Sequence, residues 1–300
     1  MKKWSFLFLI LGVGAFSNLV SWETGAELSV SSLNFHPDRT PSETSFSAYY
    51  LPLEYKLYLA HQIDENMSFD LTFANDKILQ RLLYGTFSYG MDYVSLQVGP
   101  FLGILNSSQQ PLKAGIIASI EARFPGKAFI QLRSGRNLNL LNIFTGDPLS
   151  TSVSSEGDFQ QENNEFRFGV YLRNTILSFF VASKIYTYYS TDYGTVSNSQ
   201  TDYGARTDIF QKNVPLQIRL SFFYRHMSRY FEEATPSSQH TIGSLIFGTQ
   251  LEYSFLSSFS LYADLESSIY SFGLNDLIGE FAGTDYLFTA KTGFRYRIPR

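Results

Sequence analysis

The chain has no cysteine in 300 residues. A disulfide framework, a thiolate metal site and a lipid-modified cysteine are therefore excluded. Charge is also scarce: charged residues make up 17% and the net charge is −4, which gives no basic surface for nucleic acid. The histidines are His36, His61, His226 and His240, and no two stand at His-x-x-x-His spacing, so no zinc site is expected. Neither a Gly-x-Ser-x-Gly elbow nor a phosphate-binding loop occurs. His226 falls on an apolar strand face with no triad-like partner near it, and reads as an interfacial ring rather than a base. The expectation is a protein with no catalytic residues, no cofactor and no metal. After the N-terminus there is no run of about 18 apolar residues, so no spanning helix is expected.

Aromatic residues, by contrast, are plentiful. They reach 17%, with 28 Phe and 20 Tyr, which suits rings placed at a membrane–water boundary. The N-terminus has the three parts of a secretory signal peptide. Lys2 and Lys3 precede an apolar run from Trp4 to Phe16, and Ala15-Phe16-Ser17 offers a small-x-small cleavage site before Asn18. The apolar run is shorter than the roughly 20 residues a spanning helix needs. Residues 1–17 are read as the signal segment, with cleavage as late as 21 as the alternative, and 18–300 as one domain.

Period-2 alternation runs through that domain. Leu112, Ala114, Ile116, Ala118, Ile120, Ala122 and Phe124 form one face of a strand; Lys113, Gly115, Ile117, Ser119, Glu121 and Arg123 form the other. Pro125-Gly126-Lys127 then turns into Ala128, Ile130 and Leu132 against Phe129, Gln131 and Arg133. A soluble sandwich alternates too, but its strands average about 5 or 6 residues. Runs of 11 to 15 residues are common here. A tilted membrane strand needs about 9–11.

Thirteen strands are evident, near 22–32, 46–60, 67–74, 82–90, 93–105, 112–124, 128–136, 165–173, 176–186, 214–230, 243–255, 259–270 and 286–298. Short turns at 61–66, 90–92, 125–127, 174–175 and 256–258 share one side, and parity then demands one more strand. A weak one from Tyr203 to Phe210 supplies it. The expectation is an all-β, antiparallel up-and-down transmembrane barrel of about 14 strands, with 12 as the alternative. Longer loops are expected near 36–45, 75–81, 106–111, 137–164, 187–202, 231–242 and 271–285. Pro52 and Pro100 fall inside proposed strands, where bulges or shifted boundaries are expected.

On these features the chain resembles bacterial outer-membrane β-barrels of small porin-like size. The resemblance rests on the signal segment, the alternation, the loop asymmetry and the aromatic closing strand from Phe288 to Ile298. It implies a place in the bacterial outer membrane with both termini periplasmic, contact with outer-membrane lipid, and insertion by a barrel-assembly machinery. Many such proteins end on Phe; this chain ends Ile298-Pro299-Arg300.

The inward charge is expected to set what passes. Lys113, Arg123, Arg133, Arg167, Arg173, Arg219 and Arg225 line one wall, with Lys184 and Arg229, against Glu121 alone. Glu54, Asp264 and Glu266 belong to a mixed-to-acidic wall, in which Lys291 and Arg295 are the expected partners of the last two. Opposed walls create a transverse field that polar solutes tolerate. Three functions follow as expectations. The first is a porin-like channel for small hydrophilic solutes, favouring anions. The second is a surface adhesin or structural barrel binding extracellular ligands through loops 137–164 and 187–202. The third is a hydrophobic-solute transporter, placed last because a strand starting near Trp22 leaves no room for an N-terminal plug.

Overall fold

Alternation that sends every second side chain to one face needs partners on both edges of each strand, and closing the sheet is the arrangement that leaves no edge. The computed structural model adopts it. It describes residues 21–31, 53–75, 81–104, 112–138, 159–190, 194–211, 214–231, 238–272 and 288–298. In chain order the strands are β1 (Ser21–Ser31), β2 (Leu53–Gln62), β3 (Met67–Ala74), β4 (Arg81–Gly90), β5 (Val94–Ile104), β6 (Leu112–Phe124) and β7 (Ala128–Leu138). They continue as β8 (Phe159–Leu172), β9 (Thr175–Ser190), β10 (Gly194–Phe210), β11 (Leu216–Phe231), β12 (Ser238–Leu256), β13 (Phe259–Phe272) and β14 (Phe288–Ile298). Each pairs antiparallel with its sequence neighbours, and β1 closes on β14 with Trp22 opposite Ile298. Fourteen strands agree with the count that turn parity required.

Walking the register once round the wall returns to β1 displaced by about 14 residues, one per strand. With a strand spacing of about 4.8 Å and a rise of about 3.3 Å, that shear sets the backbone roughly 12–13 Å from the axis. Polarity is inverted relative to a soluble fold. Leu132, Phe179, Phe222 and Leu265 point outward and are more than half exposed, whereas Thr72, Ser178 and Asp208 point inward and are buried. Left on water, each large outward side chain would forgo roughly 2 kcal/mol of transfer energy; a hydrocarbon surround removes that cost.

The turns at one end are short for local reasons. Between β2 and β3, the Asp64 carboxylate accepts hydrogen bonds from the Asn66 and Met67 amides, both at 2.7 Å. Between β6 and β7, Gly126 takes φ of 69°, which an L side chain rarely adopts.

Several expected boundaries are corrected. The segment 187–202, read as a loop, is largely strand: β9 runs to Ser190 and β10 starts at Gly194. Its outward residues are Thr187, Tyr189, Thr195, Ser197, Ser199 and Thr201, so it lacks the continuous apolar face that marks a strand. Hydroxyl pairs hold it instead, with Thr187 to Ser197 at 3.2 Å and Ser199 to Ser228 at 2.8 Å. The same applies to 231–242, where β12 already starts at Ser238, and to 137–164, where β8 starts at Phe159. Residues 139–158 lie outside the described residues, as do residues 1–17, expected to be a signal segment, Pro52, and most of the loops expected at 36–45, 75–81, 106–111 and 271–285. Pro100 stays within β5. Its ladder to β4 skips from Tyr84↔Phe101 to Phe87↔Val98, so the missing N–H falls in a gap in the pairing. A register shift between β12 and β13 leaves Ile269 as an extra residue, and Ile269 and Tyr270 are both exposed.

Candidate lumen lining

The inward side chains are the candidate site, and they form layers. Phe129 on β7 lies directly opposite Gly169 on β8, and a Cβ added to that glycine would come within 2.3 Å of the ring. Tyr262 on β13 occupies Gly293 on β14 in the same way, at 2.5 Å from its hydroxyl. Phe101 lies over Gly115 and Tyr58 over Gly25. Gly204 on β10 has Phe180 on one side and Phe223 on the other, and those two rings meet with centroids 5.8 Å apart. An inward ring therefore leans along the wall over an empty position on the next strand instead of pointing at the axis.

Guanidinium groups cover the rings. Arg167 sits 5.2 Å from the Phe129 centroid, Arg225 5.1 Å from Phe223, Arg206 5.2 Å from Phe180 and Arg295 5.6 Å from Tyr262. Such contacts contribute about 0.5–2 kcal/mol each, more as water is excluded. The cations are in turn held by carboxylates. Arg225 makes a two-pronged contact with Asp202, Nε and Nη2 each at 2.9 Å, and lies 3.6 Å from Glu266. Glu266 is two strands away; it is reached across β12 at Gly248, where a side chain would meet Ser221 and Glu266. Arg167 and Arg219 both bond Asp208. Arg219 also donates to Gln250 Oε1 at 2.6 Å, and Arg167 donates to Ser178 Oγ at 3.2 Å. On the opposite wall Lys291 holds Asp264 at 3.2 Å, Arg295 holds Glu252 at 3.2 Å, and Tyr262 donates to Glu27 at 2.7 Å.

The residues singled out from the sequence distribute as follows. Arg167, Arg219, Arg225 and Glu266 join this network, and Asp264 takes the expected partner, Lys291. Glu266 does not pair with Arg295 but with Arg225. Arg133 faces Glu165 across β7 and β8 and is exposed. Glu54 accepts from Ser29 Oγ at 3.4 Å. Arg123 sits at the short-turn end of β6 and bonds Glu121 on its own strand. Arg173 lies in the turn between β8 and β9, not on the wall. Lys113 is on β6, and its side chain lies outside the described residues. Outside the lumen, His226 points outward and stacks on Tyr224, with centroids 6.5 Å apart.

Sequence reasoning left out Glu165, Asp202, Arg206 and Asp208, so the wall expected to be basic is mixed. Three of the four are on β10. The signal was present there: Asp202, Gly204, Arg206 and Asp208 share one parity against Tyr203, Ala205, Thr207 and Ile209. It was hidden because the upper half of the strand has no apolar face.

No family model and no curated protein sequence matches the chain. Solved structures similar to it include OmpT of Vibrio cholerae, an outer membrane protein, at 10% identity and a TM-score of 0.47, covering 94% of this chain and 99% of that one. An outer membrane channel from Pseudomonas putida F1 has 8% identity and a TM-score of 0.47, covering 93% and 95%. OmpF of Salmonella typhi, in complex with daunomycin, has 8% identity and a TM-score of 0.38, covering 93% and 97%.

Proposed function

We propose that this barrel is an outer-membrane channel for small hydrophilic solutes. The observation that carries the reading is the lining: inward rings leaning over glycines, covered by paired charges. That arrangement takes bulk away from the axis and puts hydrogen-bonding groups on the water side. Barrels of eight strands fill their own interior and those of 16–18 hold an aqueous channel, so fourteen strands lie near the open side. An apolar solute finds no continuous apolar path along such a wall. In this reading both termini are periplasmic, the outward apolar face meets outer-membrane lipid, a barrel-assembly machinery inserts the chain, and no catalytic step is involved. The test is conductance of the purified, folded protein in planar bilayers. Discrete steps in salt are expected; a folded barrel that inserts and passes no current would overturn the proposal.

One observation favours a second reading, binding of extracellular ligands. Strands β8 to β12 have 14 to 19 residues, against the roughly 9–11 that cross a membrane. Their surplus carries the hydroxyl pairs on its outward face and would stand clear of the bilayer as a polar collar. Replacing Ser197, Ser199 and Ser228 with bulkier residues should abolish surface binding if this is the protein's role.

A further inference from the structure

Three guanidinium groups gather in the short-turn half of the lumen, and two of them share one carboxylate. Arg167 on β8 and Arg219 on β11 bond Asp208 on β10, and Arg206 lies two residues along β10 on the same face. Arg206 stands opposite Ser178 on β9 and Ser221 on β11, neither of which is charged. Its guanidinium rests over Phe180, and its Nε is buried with no acceptor among the described residues. Glu165 on β8 also acts on Arg206, so the three guanidinium groups face two carboxylates and keep one positive charge in excess. Asp208 is almost fully buried, whereas the Arg167 and Arg219 side chains are 17% and 32% exposed, so the cations and not the carboxylate meet the lumen.

We infer that Arg206, Arg167 and Arg219 form a binding station for small oxyanions, solutes bearing a phosphate or carboxylate group. Guanidinium groups are planar forks whose paired N–H donors match two oxygens of such a group, and they stay charged at any physiological pH. Asp208 fixes two of the forks in place. The donor with no acceptor among the described residues belongs to the third. The uncompensated charge draws an anion in, and the shared carboxylate keeps the affinity low enough for release, which a conduction path requires. As a solute preference the inference rests on the channel reading; as a binding site it does not.

The experiment uses the full folded barrel in detergent, with inorganic phosphate as the probe. Two readouts are independent: phosphorus NMR line broadening, which needs no current, and phosphate block of chloride conductance in bilayers. Wild type should broaden the line, with sulfate competing and chloride not. Arg206→Gln should weaken binding about tenfold, the worth of one charge-assisted hydrogen bond. Arg206→Lys, which keeps the charge but not the fork, should fall between. Absence of broadening in wild type, equal broadening in Arg206→Gln, or competition by chloride as effective as by sulfate overturns the station. Chloride current with no phosphate effect overturns the station and leaves the channel standing. Broadening that depends on Arg206 in a barrel that passes no current upholds the station and removes the channel.

Discussion

Phe129 shows how much rests on a missing methyl group. Its ring is buried at a lumen wall because Gly169 leaves room and Arg167 closes over it. Gly169→Val would collide with the ring at ordinary contact distances and swing it toward the axis. Single-channel conductance is expected to fall markedly while the barrel still folds, since the displaced ring moves into water space. An unchanged conductance would show that the ring does not border the path. Arg225 makes the opposite case, where charge matters more than volume. It and Asp202 are both only 12% exposed in their side chains. Arg225→Gln removes the cation that Asp202 and Glu266 share, and breaking a buried pair this way costs about 3–5 kcal/mol. Urea-refolding midpoints should drop accordingly, and Asp202→Asn in the same chain should restore part of the loss. Replacing Arg133, Arg167 and Arg219 together with Gln is not benign for folding, because it strips Asp208 of both partners. Arg133→Gln alone, at an exposed position, should shift reversal potential toward cations with little change in stability.

At the scale of strands, the outward faces divide into an apolar band and a polar surplus, and substitutions should follow that division. Leu220→Arg or Phe247→Arg places charge in the band and should cost about 2–4 kcal/mol, impairing assembly as read by heat-modifiable gel mobility. Ser199→Arg, on the collar, should cost about 0–1 kcal/mol. Equal damage at both would mean that the collar lies within the membrane. This division also explains what could be read in advance. β6, β7, β11 and β13 announce themselves because apolar and polar residues alternate over their length, and the tight turns between them fix the parity that demanded one more strand. β10 does not, because from Ser197 to Asp202 both faces are polar; its pairing is set by neighbours across the sheet and by hydroxyl bonds. The ion pairs were legible only where both partners sit on strands already recognised, as Asp264 and Lys291 do. Those of Asp202 and Asp208 depended on the strand that composition hid.

For the whole molecule, strand number and shear decide what the lining can admit. A backbone radius of roughly 12–13 Å, less a side-chain layer of about 5 Å on each wall, leaves a bore at most roughly 7–8 Å in radius. Rings standing upright would remove much of that; rings over glycine keep it. The seats at Gly25 and Gly293 lie on the neighbouring strands β1 and β14, and those at Gly115 and Gly169 on β6 and β8 on the other side of the barrel. In the channel proposed above, filling one would narrow the bore from one side only and leave the other side for a solute. Filling opposed seats narrows it from both, so the effects on size exclusion should compound and not add. Liposome swelling measures this directly. Wild type should admit monosaccharides and disaccharides, with rates falling steeply as solute width approaches the bore. Gly115→Val with Gly293→Val should exclude disaccharides while still admitting glycerol, and each single variant should only slow them. If the double variant swells as fast as wild type in every sugar, the rings do not set the bore, and the control of solute size must reside elsewhere in the chain.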